Sequence, residues 1–170
     1  MDLYLERLHQ SIADVTRGMT IDELTRHSEG KWSAAEILEH LYLTYTGTAK
    51  GFERCFQAGK PLGGAVTFRQ KVAIALVTEL GYFPTGRKTP ERASPKGMSV
   101  EKLVAEIGPQ IAAMDKVIAQ CEERYGSRTK VLDHPVLGPL TARQWRKFHL
   151  IHGRHHVKQI SRLKITNSRS

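Results

Sequence analysis

The sequence predicts an all-α protein, a four-helix bundle with extra short helices. Three observations lead there. Apolar residues recur at helical spacing through the long segments, capping signals stand at the starts of several of them, and two-residue alternation is nowhere sustained.

The first helix covers about residues 2–18, where charges alternate with apolar residues at helical spacing. Thr20 and Glu23 can start a short helix at Ile21 as a capping box. In that motif hydroxyl and carboxylate each take a backbone N–H that the first turn leaves unpaired. A stronger start follows: Ser33 with Glu36 is a capping box, flanked by the apolar pair Trp32 and Ile37. The helix it opens runs to about Gln57, before Gly59-Lys60-Pro61 breaks it. Residues 65–80 read as an apolar helix. From Gly81 to Gly97, Pro84, Pro90 and Pro95 with several basic residues predict a long loop, a kind of segment that is uncommon and often functional. Residues 99–124 form another long helix, kinked at Gly108-Pro109 because proline cannot donate its hydrogen bond there. The turn-rich run His134-Pro135-Val136-Leu137-Gly138-Pro139 leads to a last helix, 142–164, which Thr141 caps with Gln144 completing the box.

At 170 residues the chain fits one domain, about 1–165, with a polar tail over 166–170. Hydrophobic residues at 40% and charged ones at 25% suit a soluble globular protein. The start of the chain has no basic stretch followed by an apolar run, so no signal peptide is expected, and no uncharged apolar stretch is long enough to span a membrane. Cys55 and Cys121 stand far apart with no CxxC, which predicts neither a disulfide framework nor a zinc ribbon and points to the cytoplasm. The net charge of +9 gathers late in the chain, at Arg143, Arg146, Lys147, Arg154, Lys158, Arg162, Lys164 and Arg169. It reads as a solvated helix face; no nucleic-acid-binding signature accompanies it, and nucleic acid is not an expected partner.

The last helix holds His149, His152, His155 and His156. On a wheel of about 100° per residue with His152 at zero, Trp145 falls near +20°, Gln159 near −20°, His156 near +40° and His149 near +60°. The same wheel puts Arg143, Arg146, Lys147, Arg154 and Lys158 on the opposite half, facing water, and leaves Leu150 and Val157 uncovered on the outer side. Imidazoles in an apolar stripe need hydrogen-bonding or metal partners. His152 and His156, at i and i+4, present both rings to one point, the spacing that a zinc-binding HExxH helix uses. His149 and His156 lie about 10.5 Å apart along the axis, too far to share an ion, so His149 is a second-choice ligand through His152 or a residue lining the pocket. His155 falls at the flank, and His134, before a proline, is structural or pocket-lining. A third ligand must come from another helix. His40 faces inward between Ile37 and Leu43, with Thr44 beside it and Gly47 and Gly51 further along the same face, leaving room for an ion or a neighbouring helix. Glu36 has a capping role to account for it, and Glu39 points about 100° away from His40, so neither is expected as a ligand. The expected site is one divalent metal ion on His40, His152 and His156, with His149, Gln159, Glu36, Thr44 and Trp145 around it. Metal identity stays open among first-row ions such as nickel and zinc.

Trp32-Ser33-x-x-Glu36-Ile37-Leu38-x-His40-Leu41 early, and His134-Pro135-x-x-Gly138-Pro139-Leu140-Thr141 leading to Trp145 and His152-x-x-x-His156-x-x-Gln159-Ile160 late, carry a likeness to a known group. Over about residues 2–163 the chain resembles the DinB-like (DinB/YfiT) superfamily. The resemblance implies an antiparallel four-helix bundle with a long crossover loop, a metal triad matching His40, His152 and His156, and a homodimer. Relatives of that kind include thiol-dependent S-transferases and a maleylpyruvate isomerase that use bacillithiol, mycothiol or glutathione. The expected function is therefore a metal-dependent enzyme of thiol S-transferase type acting on a small electrophilic molecule, with a low-molecular-weight thiol as co-substrate. Loop 81–97 and nearby basic residues would form the mouth that attracts an anionic thiol. Two alternatives stand beside it: a metal-dependent hydrolase, and a non-catalytic metal-containing bundle or binding module with a basic surface.

Overall fold

A computed structural model describes residues 1–27, 30–82 and 89–167. Residues 83–88 of the expected loop 81–97 and residues 168–170 of the expected tail lie outside the described residues.

Each long helix begins where a side chain replaces a missing backbone acceptor. Asp2 accepts from Tyr4 N at 2.8 Å and opens α1 (Leu3–Thr16). The Thr20–Glu23 box opens α2 (Ile21–Thr25), and the Ser33–Glu36 box opens α3 (Ala34–Gln57). A box that the sequence reading overlooked, Thr67 with Gln70, starts α4 (Phe68–Thr78) and makes it shorter than the expected 65–80. Ser99 caps α5 (Val100–Tyr125), which continues through Pro109. Gly108 makes room for α1, since a Cβ there would stand 2.7 Å from His9 Nε2. The Thr141–Gln144 box opens α6 (Ala142–Asn167), a few residues longer than expected.

Between α5 and α6 a small hairpin replaces the expected turn: β1 (Leu132–His134) pairs antiparallel with β2 (Gly138–Leu140). Three-residue strands are too short to show alternation, so periodicity could not find them. His134 Nδ1 accepts from Val136 N at 3.2 Å and Leu137 N at 3.1 Å, which closes the turn. Trp145 Nε1 donates to Leu132 O at 3.1 Å, seating the hairpin on α6. Gly51 serves this packing rather than an ion, because a Cβ there would sit 2.6 Å from Leu132 Cδ2. Gly47 faces open space.

Side-chain contacts give the direction of each helix. Tyr42 reaches Glu106, Cys121 reaches Phe52 O and Tyr125 reaches Cys55 O, so α3 and α5 run parallel. Arg143 meets Tyr4 and Lys164 meets Arg17 O, so α1 and α6 also run parallel. Between the pairs the sense reverses: Phe52 packs on Trp145, Tyr45 on His149 and His40 on His156. The fold is thus all-α, with two parallel pairs set antiparallel to each other. A crossover over residues 58–99, carrying α4, returns the chain to the start of α5. Both cysteines are free and buried. Among the described residues no helix is long and apolar enough to cross a membrane.

Two features of α6 depart from the wheel. Arg146 is buried, its guanidinium bonded to Asp115 Oδ1 at 2.8 Å and to Glu122. Leu150 is buried too, on the side where Gly153 meets Leu8 of α1. The wheel gave α6 one inward stripe, but neighbours on several sides bury more of it.

Gly153 sets how closely α1 approaches, since a Cβ there would stand 2.1 Å from Leu8 Cδ1, and Leu8 is fully enclosed. Gly153→Ala should therefore destabilise the fold, overpacking at about 1–3 kcal/mol outweighing about 1 kcal/mol of gained helix propensity. Thermal unfolding followed by circular dichroism checks this; an unchanged or raised midpoint would refute it.

Candidate metal centre

The antiparallel contact of α3 with α6 brings His40 against His152 and His156. All three are buried, and one ring nitrogen from each lies within 4.8 Å of the others. His40 Nε2 stands 3.2 Å from His152 Nε2, and His156 Nε2 stands 3.1 Å from the same atom. Zn–N bonds of about 2.0–2.1 Å meeting at roughly 90–110° would separate neighbouring nitrogens by about 2.9–3.4 Å. Both observed separations fall in that range.

Hydrogen positions strengthen the fit. His40 Nδ1 lies 2.8 Å from Ala93 O, and a carbonyl oxygen only accepts, so Nδ1 carries the hydrogen and Nε2 of the neutral ring is a lone pair. His156 Nδ1 donates likewise to Gln159 Oε1 at 2.7 Å, while Gln159 Nε2 donates to His155 Nε2 at 3.3 Å. The two outer rings thus aim lone pairs at His152 Nε2. That nitrogen carries one hydrogen at most, so one of the two contacts has no proton to share. Extra protonation does not resolve the clash, because burial opposes it. Burial lowers the pKa of His40 despite its Ala93 bond, lowers that of His152 well below the ordinary value, and brings His156 to about 4. Neutral imidazoles with converging lone pairs are what a metal ion requires. These three buried histidines could hold one.

Aromatic rings wall the cluster. Trp32 covers His40 with centroids 5.3 Å apart, and Phe148 stacks on His152 at 5.4 Å with an interplanar angle of 10°. The other residues singled out in the sequence lie at different distances from these nitrogens. Gln159 orients His156. Thr44 Oγ1 donates to His40 O at 2.8 Å, one turn back along its own helix. Trp145 is core, stacked on His149 at 5.7 Å. Glu36 accepts from Ser33 N at 2.8 Å and pairs with His27 at 3.5 Å, away from the three nitrogens. His149 is fully enclosed by Tyr45, Trp145 and Phe148. Among the described residues neither its ring nitrogens nor the Tyr45 hydroxyl has a hydrogen-bond partner.

Three participants escaped the sequence reading. Ala93 acts through its backbone, which no side-chain pattern reveals. Glu39 is 3% exposed and accepts from the backbone N–H groups of Lys96, Gly97 and Met98 at 2.8–3.1 Å. Arg92, next to Ala93, is close enough for its charge to act on His134.

Burial lowers the His149 pKa to about 3, with His134 adding to the effect, and brings His134 to about 4, with Arg92 adding to it. In the unfolded chain both titrate near 6.5. Above that pH neither state binds the proton; below it the unfolded state binds more, so acid favours unfolding until the native pKa is reached. The midpoint of the metal-stripped protein should hold steady above about pH 6.5 and fall steadily toward pH 4, more shallowly in His149→Leu. Thermal melts across this range check it, and a flat profile would contradict the buried neutral state.

The family described as protein of unknown function (DUF1569) matches residues 1–162. No curated protein and no solved structure matches the chain. With the match extending from α1 through the histidine cluster almost to the end of α6, the chain belongs to the DUF1569 family.

Proposed function

We propose that this protein binds one divalent first-row metal ion, nickel or zinc among the candidates, through Nε2 of His40, His152 and His156. We further propose that it is an enzyme of thiol S-transferase type acting on a small electrophilic molecule. The observation that carries the reading is the pair of lone pairs on rings whose tautomers are set by Ala93 O and Gln159, both aimed at the buried ring of His152. Three neutral nitrogen ligands leave coordination positions for an exogenous molecule, the hallmark of catalytic rather than structural sites. A divalent ion there would lower the pKa of a thiol or water and supply a nucleophile at neutral pH. The likeness to the DinB-like superfamily supports thiol chemistry in particular. Arg92, exposed beside the Ala93 carbonyl that bonds His40, supports an anionic thiol, because an exposed cation near the site raises the local concentration of anions.

Elemental analysis tests the first part. Wild-type protein should hold about one ion per chain, and His40→Ala and His156→Ala should lose most of it; wild-type stoichiometry in both variants would defeat the reading. Turnover tests the second part, with a panel of electrophiles assayed in the presence and absence of low-molecular-weight thiols. Activity should depend on thiol, and Arg92→Glu should raise the thiol concentration needed severalfold. Thiol-independent turnover would instead indicate hydrolysis.

A further inference from the structure

Glu39 and His40 are neighbours on α3 that point in different directions, yet both hold the same piece of the crossover. The Glu39 carboxylate takes three consecutive backbone N–H groups: Oε1 accepts from Lys96 N at 2.8 Å, and Oε2 accepts from Gly97 N at 3.0 Å and Met98 N at 3.1 Å. Among the described residues no cation pairs with it. A buried carboxylate is costly unless its oxygens are fully bonded, and charge-assisted bonds to backbone N–H are among the strong ones. Three residues earlier, Ala93 O accepts the His40 Nδ1 hydrogen at 2.8 Å. The link between these points is short and internally bonded: Ala93 N donates to Pro90 O at 2.9 Å and Ser94 N to Glu91 O at 3.1 Å. Adjacent positions on a rigid helix therefore grip residues 93–98 at two points.

We propose that Glu39 is a positioning residue for the metal centre: by anchoring residues 96–98 it places Ala93 O so that His40 keeps its Nδ1 hydrogen and presents Nε2 to the ion. Ala93 O is the acceptor that selects between the two tautomers of His40. If the anchor is released, the carbonyl drifts, and the ring loses the bond that fixes its orientation. Losing such outer support typically costs about 10- to 100-fold in metal affinity. The affinity part of this inference rests on the metal-binding reading above; the tautomer part does not.

Glu39→Gln is the main variant. Its amide keeps the shape but turns an N–H₂ group toward backbone N–H donors, so bonds of the anchor are lost. Glu79→Ala is the control, since it releases the bond from Lys147 to the crossover helix and leaves residues 93–98 untouched. Zinc affinity should fall about 10- to 100-fold in Glu39→Gln and match wild type in Glu79→Ala. In metal-stripped protein, long-range ¹⁵N–¹H spectra of the imidazoles should show His40 as a single Nδ1–H tautomer in wild type and in Glu79→Ala. The same ring should be a mixture in Glu39→Gln. Unchanged affinity or an unchanged tautomer in Glu39→Gln overturns the inference. If wild type binds no zinc, the metal reading fails, and the tautomer comparison alone decides this one. If Glu39→Gln does not fold, wild type carries the test by linkage: zinc should slow hydrogen exchange at the amides of residues 96–98, and equal exchange with and without zinc overturns the inference.

Discussion

Two imidazole rings have committed their Nδ1 hydrogens to oxygen acceptors, and their Nε2 lone pairs therefore meet at a third ring. Much of the architecture serves that constraint. The antiparallel contact of α3 and α6 supplies the rings, and the crossover supplies one of the two oxygens. Gln159, one turn along α6, supplies the other. Trp32 and Phe148 keep the nitrogens dry, and dryness keeps them neutral. Change the path of the crossover and the carbonyl goes elsewhere; expose the rings and protons compete for the lone pairs.

Much of the helical skeleton was readable in advance, because its signals are local. A capping box spans four residues, and those at Ser33 and Thr141 set the starts of the two helices that carry the histidines. The i, i+4 spacing of His152 and His156 is likewise a property of one helix. What escaped depends on distant parts of the chain. Arg146 looked solvent-facing on a wheel, but Asp115 waits for it on α5. Gly51 looked like space for an ion or for a neighbouring helix, and it is the hairpin, through Leu132, that fills it. Glu39 looked spare, pointing away from His40, because its acceptors' partners are backbone groups nearly sixty residues on, with |i−j| of 57–59. Single-helix geometry cannot report a partner that another segment brings.

The interior holds several buried polar groups, Glu39, Asp115 and Arg146 among them. Asp115 and Arg146 are bonded to each other in the core, and Asp115 also accepts from Asp2 N at 2.7 Å, tying the start of α1 to α5. Glu39 is a second buried carboxylate, bonded to three backbone N–H groups. Such groups add little net stability compared with well-packed apolar residues, but removing one member leaves the other costly and alone. Their use here is to fix relative placement: one sets the start of α1 against α5 and α6, the other sets the crossover against α3. His149 and Tyr45 differ, being buried side by side with no hydrogen-bond partner for their side chains among the described residues.

The pairing of α1 with α6 has a consequence for how the molecule comes to exist. Its contacts join residues as far apart as Arg17 and Lys164, separated by 147 positions, and the ligand pair His40 and His152 is separated by 112. Closing loops of that length carries an entropic penalty that must be met before the contacts compensate for it, so bundles built this way fold more slowly than those joined by tight turns. The α3–α5 pair spans a shorter separation and can form first. The three nitrogens come together only when α6 docks on α3. A metal ion would then find its site only on chains in which that contact between distant segments has formed.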